Sequence, residues 1–326
     1  MDCQTLMIED IKAAAQRLQG HAVRTPLLNS ALLDDEAGRR IFVKAECLQK
    51  TGSFKYRGAR NAVSTLSEDA RVQGVIAFSS GNHAQGVALA AAEMGAPAVI
   101  VMPEDAPKLK IDNTRALGAE VVLYDRENED RDALGAALAE ERGRNLIKPF
   151  DDLRVIAGQG TTGLEIAEQA AEAGVSAADV LVCCGGGGLT SGIALALAEA
   201  APDLKARPVE PEGFDDVARS LETGTIQINN RKSGSICDAI ITPSPGNLTF
   251  PIMSKHCGPG IAVSEDDALR AMAMAFTRLK VVIEPGGAVA LAAALFHRDD
   301  EDDVIAVASG GNVDAALFKT ALDRFG

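Results

Sequence analysis

Four consecutive glycines, Gly185–Gly188, follow a short apolar run and precede an Ala- and Leu-rich stretch. Without side chains, their backbone N–H groups can approach a ligand closely, and a helix beginning at Thr190 would add partial positive charge. This combination suits a phosphate group. A purely structural turn stays open. A dinucleotide-binding module also stays open, because Glu210 lies about twenty residues on, although the GxGxxG and GxxxxGK[ST] spacings are missing.

Lys55 stands among apolar, aromatic and small residues in the segment 53–59, at a predicted helix start. A second cation in the same turn, Arg57, together with burial would lower the pKa of the Lys55 amine. A neutral amine can attack a carbonyl group. Taken alone, an ordinary surface lysine is the simpler interpretation, so both interpretations stay open at this point.

Two further turns place polar side chains directly after predicted strands. One is Ser79-Ser80-Gly81-Asn82-His83, and the other is Ser309-Gly310-Gly311-Asn312. The carboxyl ends of strands are where open α/β sheets bind ligands. A helix N-cap would need only one such residue, so the crowding of hydroxyl, amide and imidazole groups in the first turn favours a ligand site.

Carboxylates cluster in the turn Glu210-Pro211-Glu212-Gly213-Phe214-Asp215-Asp216. Oxygen ligands at this spacing can hold magnesium or calcium. A solvated acidic turn is the alternative that the residues alone leave open.

The elements that must position these residues alternate between β-branched runs and Ala-rich amphipathic stretches. This βαβα order predicts an α/β fold with parallel sheets covered by helices. Pro208 cannot donate to a ladder, so its strand is predicted to lie at an edge or to be irregular there. The predicted strands are Ile41–Ala45, Val75–Ser79, Ala98–Met102, Glu120–Tyr124, Asn145–Lys148, Asp179–Cys183, Leu204–Glu210 and Val304–Ser309, and the predicted helices include His83–Met94, Leu109–Leu117, Arg131–Glu141 and Gly163–Ala173.

Composition limits the class of protein. The 326 residues suffice for about two domains. A net charge of −14 argues against nucleic acid and anionic membranes as partners. Six cysteines without a CxxC pair, and an N-terminus without a signal-peptide pattern, predict a reducing cytoplasmic location.

Together, the five motifs from Ile8 to Val313 resemble the fold-type II pyridoxal-phosphate enzymes, in the serine/threonine dehydratase, serine racemase and hydroxyaspartate dehydratase branch. The resemblance implies two open, mostly parallel twisted sheets covered by helices, similar to the tryptophan synthase β subunit. It implies a large domain formed by residues 1–69 and 149–326, with a small mobile domain, 70–148, inserted in it.

The resemblance also implies roles for single residues. Lys55 looks like the lysine that carries the cofactor, and Asn82 would contact the ring hydroxyl. Ser309 would face the pyridine nitrogen. The implied cofactor residues are Phe54, Lys55, Asn82, Gly185, Gly186, Gly187, Gly188, Leu189 and Ser309, and the implied substrate-carboxylate residues are Ser79, Ser80, Asn82 and His83.

Features of the racemase branch are present as well. Ser80 resembles its acid/base on the second face of the substrate, and Glu210 with Asp216 matches its divalent metal site, with a backbone carbonyl from Phe214. Arg131 aligns roughly with an arginine that meets dicarboxylates, although a surface role is the plainer interpretation.

The reaction expected from this resemblance is α,β-elimination of a β-hydroxy amino acid such as L-serine or L-threonine to a 2-oxo acid and ammonia. Lys55 and Ser80 would be the catalytic residues. A 3-hydroxyaspartate dehydratase and a serine racemase are the alternatives within the branch, and a non-catalytic nucleotide- or amino-acid-binding module is the alternative outside it. Family members are usually homodimers or homotetramers, and a small-molecule substrate is the expected partner.

Overall fold

The computed structural model describes residues 5–79, 81–106, 108–125, 128–129, 131–297 and 303–326, apart from the side chains of Leu109, Arg131 and Asp132. Its strands form two sheets. The larger sheet has the order β1-β2-β10-β7-β8-β9, and all neighbours pair in parallel except β1 with β2. Its strands are β1 (Leu27–Leu28), β2 (Ile41–Lys44), β7 (Ala178–Cys183), β8 (Leu204–Pro211), β9 (Ile261–Val263) and β10 (Val304–Val307).

The smaller sheet is entirely parallel among its described strands, in the order β5-β4-β3-β6. Its strands are β3 (Val75–Phe78), β4 (Ala98–Pro103), β5 (Glu120–Tyr124) and β6 (Asn145–Leu146). All four strands fall inside the segment predicted as an inserted domain. The boundaries of that domain and its mobility stay predictions.

Helices cover the sheets and connect their strands. Several of them begin at a residue whose side chain accepts a backbone N–H, such as Asp152, Ser264 and Asp314. The helices are α1 (Ile8–Leu18), α2 (Ala31–Ala37), α3 (Lys55–Ser64), α4 (Glu68–Gln73), α5 (Asn82–Glu93), α6 (Lys108–Ala116), α7 (Arg131–Glu141), α8 (Leu153–Glu172), α9 (Gly188–Ala200), α10 (Asp216–Thr223), α11 (Thr249–His256), α12 (Glu265–Met274), α13 (Pro285–Phe296) and α14 (Ala315–Phe325).

Alternate residues of the central strands enter two different hydrophobic clusters. In β7, Leu181 packs into the cluster that includes α12 and α13, whereas Val180 and Val182 pack into the cluster on the opposite face, with α9. Both faces of the larger sheet are therefore buried, which explains why its strands are apolar almost throughout.

The α/β prediction is confirmed, and the eight predicted strands all occur, with small differences at their ends. The strand containing Pro208 is not at the sheet edge, since β8 pairs with β7 and β9. However, β9 pairs with β8 only from Val209 onward, so Pro208 has a ladder partner on the β7 side alone. Two short strands, β1 and β9, were not predicted, and α8 is longer than the predicted Gly163–Ala173 because it begins at Leu153.

A buried charge cluster ties α3 to the rest of the fold. The Arg57 guanidinium, 1% exposed, donates to both oxygens of Glu46 (2.8 Å each) and to both oxygens of Glu165 (2.7 and 2.8 Å). Lys44, fully buried at the end of β2, donates to the same Glu165 at 2.6 Å. The cluster therefore fixes α3 against α8 and the segment that follows β2.

Five described cysteines, Cys47, Cys183, Cys184, Cys237 and Cys257, are free thiols. Within the described ranges, no helix has both the length and the apolar character needed to cross a bilayer.

We expect Arg57→Met to lower the free energy of unfolding by about 3–5 kcal/mol, because it leaves the fully buried Glu46 carboxylate without its ion-pair partner. Arg324→Met is the control, since the Arg324–Asp266 pair has side chains that are 45% and 62% exposed, and its loss costs about 1 kcal/mol or less. Urea unfolding followed by circular dichroism measures both. Equal losses of unfolding free energy in the two variants would contradict the large contribution to stability expected of the buried cluster.

Candidate active site

Strand ends of the two sheets meet at the start of α3, where one backbone hydrogen bond joins the beginning of this helix to the end of β10. The Phe54 N–H donates to the Ser309 carbonyl just beyond β10 at 3.1 Å, and Ser53 forms a β-bridge with Gly310. Lys55 is the next residue along, so its side chain begins beside Ser309. A cavity opens there between the sheets. Its lining includes the predicted residues Phe54, Lys55, Ser79, Asn82, His83, Gly185, Gly186, Gly187, Gly188, Leu189 and Ser309.

The amine of Lys55 is held in this cavity by neutral groups. Its Nζ donates to the Pro149 carbonyl at 2.9 Å and lies 5.1 Å from the centre of the Phe54 ring. Burial lowers the pKa of Lys55 to about 8. The prediction of a lowered pKa thus holds for burial. The prediction that Arg57 also lowers the pKa of Lys55 is wrong, because the Arg57 guanidinium is neutralised by Glu46 and Glu165 and contributes nothing to the shift.

The glycine loop packs too tightly for side chains. A Cβ on Gly186 would overlap the Phe150 ring, and a Cβ on Gly188 would lie 2.6 Å from Gln159 Oε1. Gly187 has φ of +89°, which L residues rarely adopt. The loop leads into α9, where the Ser191 N–H donates to the Gly187 carbonyl at 2.8 Å. The N–H groups that precede Ser191 lie in the first turn of the helix and are therefore available to an anion.

Asn82 is fixed by two residues that lie far away in sequence. Its Nδ2 donates to Glu284 Oε1 at 2.5 Å, and its Oδ1 accepts from Asn312 Nδ2 at 2.7 Å. The side chain of Glu284 is 2% exposed, and burial raises its pKa to about 7. A second N–H on Asn82 Nδ2 stays available to a ligand.

His83 also lines the cavity, and it is neutral. Burial and the nearby Lys55 lower its pKa to about 3, and Nε2 lies 2.9 Å from the Ile147 carbonyl. A neutral ring beside a carbonyl must carry its proton on Nε2, so Nδ1 is an acceptor. In this arrangement a carboxylate would be held by the N–H groups at the start of α5 rather than by the imidazole.

Comparison with known proteins decides the family. Residues 18–310 match the family of pyridoxal-phosphate dependent enzymes. This chain belongs to that family. It is 44% identical to L-threo-3-hydroxyaspartate ammonia-lyase of a Pseudomonas species, over 96% of this chain and 97% of that protein.

Two solved structures share the fold of this pyridoxal-phosphate enzyme. The threonine deaminase of T.th. has a TM-score of 0.89 and 46% identity, over 94% of this chain and 99% of that one. Maize serine racemase has a TM-score of 0.90 and 36% identity, over 98% of each chain. The predicted family, branch and fold class are thus confirmed. The non-catalytic binding module is set aside, since the family is one of enzymes.

The cavity residues fit the cofactor of this family. Lys55 would supply an amine with a lowered pKa, and the glycine loop would supply N–H groups for a phosphate. Two buried polar atoms of residues that line the cavity, Thr242 Oγ1 and His83 Nδ1, have no partner among the described residues. Polar atoms left this way are costly unless something binds them, so a polar ligand belongs in this cavity.

The acidic turn lies outside this cavity, behind Cys184, whose thiol pKa is raised by burial and by Glu210 and Asp216. The Glu210 oxygens accept the Val217 and Ala218 N–H groups at 3.0 and 2.7 Å. Asp216 Oδ1 accepts from Asn229, while its buried Oδ2 has no described partner. In the described part of the chain, no cluster of three or more His, Cys, Asp or Glu side chains is arranged to hold a metal.

Two predicted residues lie outside the described part of the protein: Ser80, and the side chain of Arg131 at the start of α7. The cavity residues that the sequence did not indicate include Lys110, Phe150, Asp238 and Glu284. Only Glu284 carried a local signal. It precedes Pro285 and two glycines at the start of an apolar helix, where a buried N-terminus was foreseeable.

The protonation of Glu284 gives a pH prediction. The folded protein holds this proton up to about pH 7, whereas the ordinary carboxyl value is 4.5. The protonated Glu284 carboxyl therefore makes its full contribution to the free energy of unfolding below pH 4.5, and this contribution is lost as the pH rises to about 7. In cofactor-free protein, Glu284→Gln should remove this loss, so the difference in unfolding free energy between variant and wild type should grow by up to about 3 kcal/mol.

Urea unfolding at half-unit steps from about pH 4.5 to about pH 8 tests this expectation. Glu212→Gln, in an exposed position, serves as the control and should show a difference that does not change with pH in the upper part of this range. A constant difference for Glu284→Gln as well would show that the buried carboxyl titrates normally.

Proposed function

We propose that this enzyme is an ammonia-lyase for β-hydroxy amino acids, acting on substrates such as L-serine, L-threonine or L-threo-3-hydroxyaspartate. The observation that carries the proposal is the partly neutral amine of Lys55, held between Ser309, the glycine loop and the turn at Asn82. The substrate loses its Cα proton and its β-hydroxyl as water. The resulting enamine takes up water and yields a 2-oxo acid and ammonia.

The cofactor, when bound, supplies an electron sink for the negative charge that develops at Cα. Lys55 would hold the cofactor, and its amine would remove the α-proton of a bound substrate. A pKa of about 8 suits this role, because a useful fraction of the amine is unprotonated near neutral pH. Its Pro149 contact keeps the amine in place without a counter-ion.

Ser309 favours elimination over other fates in this proposal. The neutral Ser309 hydroxyl would contact the pyridine nitrogen and leave it unprotonated, whereas a carboxylate in that position would keep it protonated and strengthen the sink. The weaker sink disfavours long-lived charge at Cα, so departure of the β-hydroxyl competes better.

The turn after β3 would hold the substrate carboxylate. Ser79 Oγ accepts from the Gly81 N–H at 3.2 Å, which keeps the turn narrow. The first residues of α5 offer N–H groups that have no partner within the helix. Ser80, as an acid/base on the opposite face, would give serine racemase activity in addition, and Arg131 is proposed as a contact for dicarboxylates.

The cation, the assembly and the location complete the proposal. A divalent cation, magnesium or calcium, would bind Glu210, Asp216 and the Phe214 carbonyl, because burial raises the pKa of both carboxyl groups and Asp216 Oδ2 has no described partner. A homodimer or homotetramer would cover exposed apolar side chains such as Leu48 and Phe276. The free thiols support a reducing, cytoplasmic location.

Activity and colour test the main proposal. Purified enzyme loaded with pyridoxal phosphate should be yellow and should release 2-oxo acid and ammonia in equal amounts from at least one of the three substrates. Lys55→Ala should lose the visible absorbance and more than about 99.9% of the activity, since it removes the base. Lys319→Ala, whose side chain is 74% exposed, should retain both. Colour without elimination, or elimination that survives in Lys55→Ala, would overturn the proposal.

Thermal unfolding tests the cation. At a free concentration about 100 times its Kd, magnesium or calcium should raise the free energy of unfolding by about 2.7 kcal/mol. Asp216→Asn should lose this effect, because it removes a ligand charge, while Glu212→Gln, in an exposed position of the same turn, should keep it. Stabilisation of equal size in both variants would place the cation elsewhere.

A further inference from the structure

Lys110 is a basic side chain in the cavity that the proposed chemistry does not use. It lies on α6, and its side chain is only 15% exposed. Its Nζ would be 3.6 Å from a Cβ placed on Gly81, so it covers the turn that precedes Asn82. Apart from the neutral His83, Lys55 and Lys110 are the basic residues among the described side chains that line the cavity.

The charge of Lys110 acts inside the site. It opposes the burial that raises the pKa of Glu284. It also lines a second, neighbouring cavity together with Asp238 and Glu284, so its amine lies where the two cavities adjoin. Since Lys55 is committed to the cofactor, Lys110 is the remaining described cation near the carboxylate turn.

The partner of Lys110 in this structure is replaceable. Nζ lies 3.3 Å from Asp238 Oδ2, and the Asp238 side chain is 53% exposed. An ion pair with one exposed partner and a long separation contributes about 1 kcal/mol or less. Asp238 would stay solvated if the amine turned away, so Lys110 can exchange this carboxylate for one from a ligand at little cost.

We propose that Lys110 binds the distal carboxylate of a dicarboxylic β-hydroxy amino acid and so selects 3-hydroxyaspartate over serine and threonine. This inference rests on the proposed function. With the α-carboxylate at the Gly81–Asn82 turn, the distal carboxylate is separated from it by two carbon atoms, on the side that Lys110 covers. Serine and threonine have no charge there, and with them Lys110 stays paired with Asp238.

Steady-state kinetics with L-threo-3-hydroxyaspartate and L-threonine test this role. Lys110→Met should lower kcat/KM for hydroxyaspartate by about 10- to 100-fold, the loss expected for one charge-assisted contact, and change it for threonine by less than about threefold. Lys110→Arg should recover most of the loss, because it keeps the charge.

Two further variants make the test specific. Lys108→Met is the matched control on the same helix, because Lys108 is 87% exposed and pairs with Asp112; it should leave both substrates unchanged. Asp238→Asn removes the competing carboxylate and should raise the preference for hydroxyaspartate. Melting temperature and visible absorbance of each loaded variant show that it is folded and holds the cofactor.

The outcomes separate this inference from the proposed function. Equal losses for both substrates in Lys110→Met, or an unchanged ratio, overturn the role of Lys110 while leaving the lyase intact. If no β-hydroxy amino acid is turned over, the proposed function fails. In that case, the affinities for succinate and butyrate, measured by calorimetry, still test the inference. Lys110→Met should weaken the binding of succinate alone. Equal weakening for both ligands would contradict the inference.

Discussion

The hydrogen bond between the Phe54 N–H and the Ser309 carbonyl holds the site together, with the adjoining Ser53–Gly310 bridge. It fastens the start of a helix to the end of a strand that is more than 250 residues away in sequence. Lys55 is thereby placed at the edge where parallel strands end. All groups proposed to act on the cofactor are arranged around this point, because strand ends of both sheets converge there.

Two cations at this helix start have opposite environments. Lys55 lies among neutral groups, and burial lowers its pKa, which keeps the amine available for chemistry. Arg57, two residues later, is surrounded by Glu46 and Glu165 and stays charged. Its ion pairs hold α3 against the neighbouring elements. Lys55, at the start of the same helix, is therefore kept in its buried position. The reactive amine is held by a neutral carbonyl, whereas the structural cation is paired with two carboxylates.

Close packing gives the glycine loop its shape. Phe150 and Gln159 occupy the space in which side chains of residues 186 and 188 would lie, so only glycine keeps the backbone beside the cavity. The same constraint recurs at Gly310, where a Cβ would overlap the Glu284 carboxyl group. Small residues here serve both chain packing and access of N–H groups to a ligand. The acidic chain can therefore bind an anionic cofactor through local donors, despite a net charge of −14.

The sequence by itself determined the α/β class, eight of the described strands and the motifs after β3, β7 and β10, because apolar patterning and strand-end turns are encoded within a few neighbouring residues. Lys55, Asn82, the glycine loop and Ser309 are recognisable for that reason. The tertiary structure alone decided what surrounds them. Glu284 meets Asn82 across 202 positions and Lys110 meets Asp238 across 128. Contacts of that range, and the burial that lowers the pKa of Lys55, exist only once the two sheets have packed together.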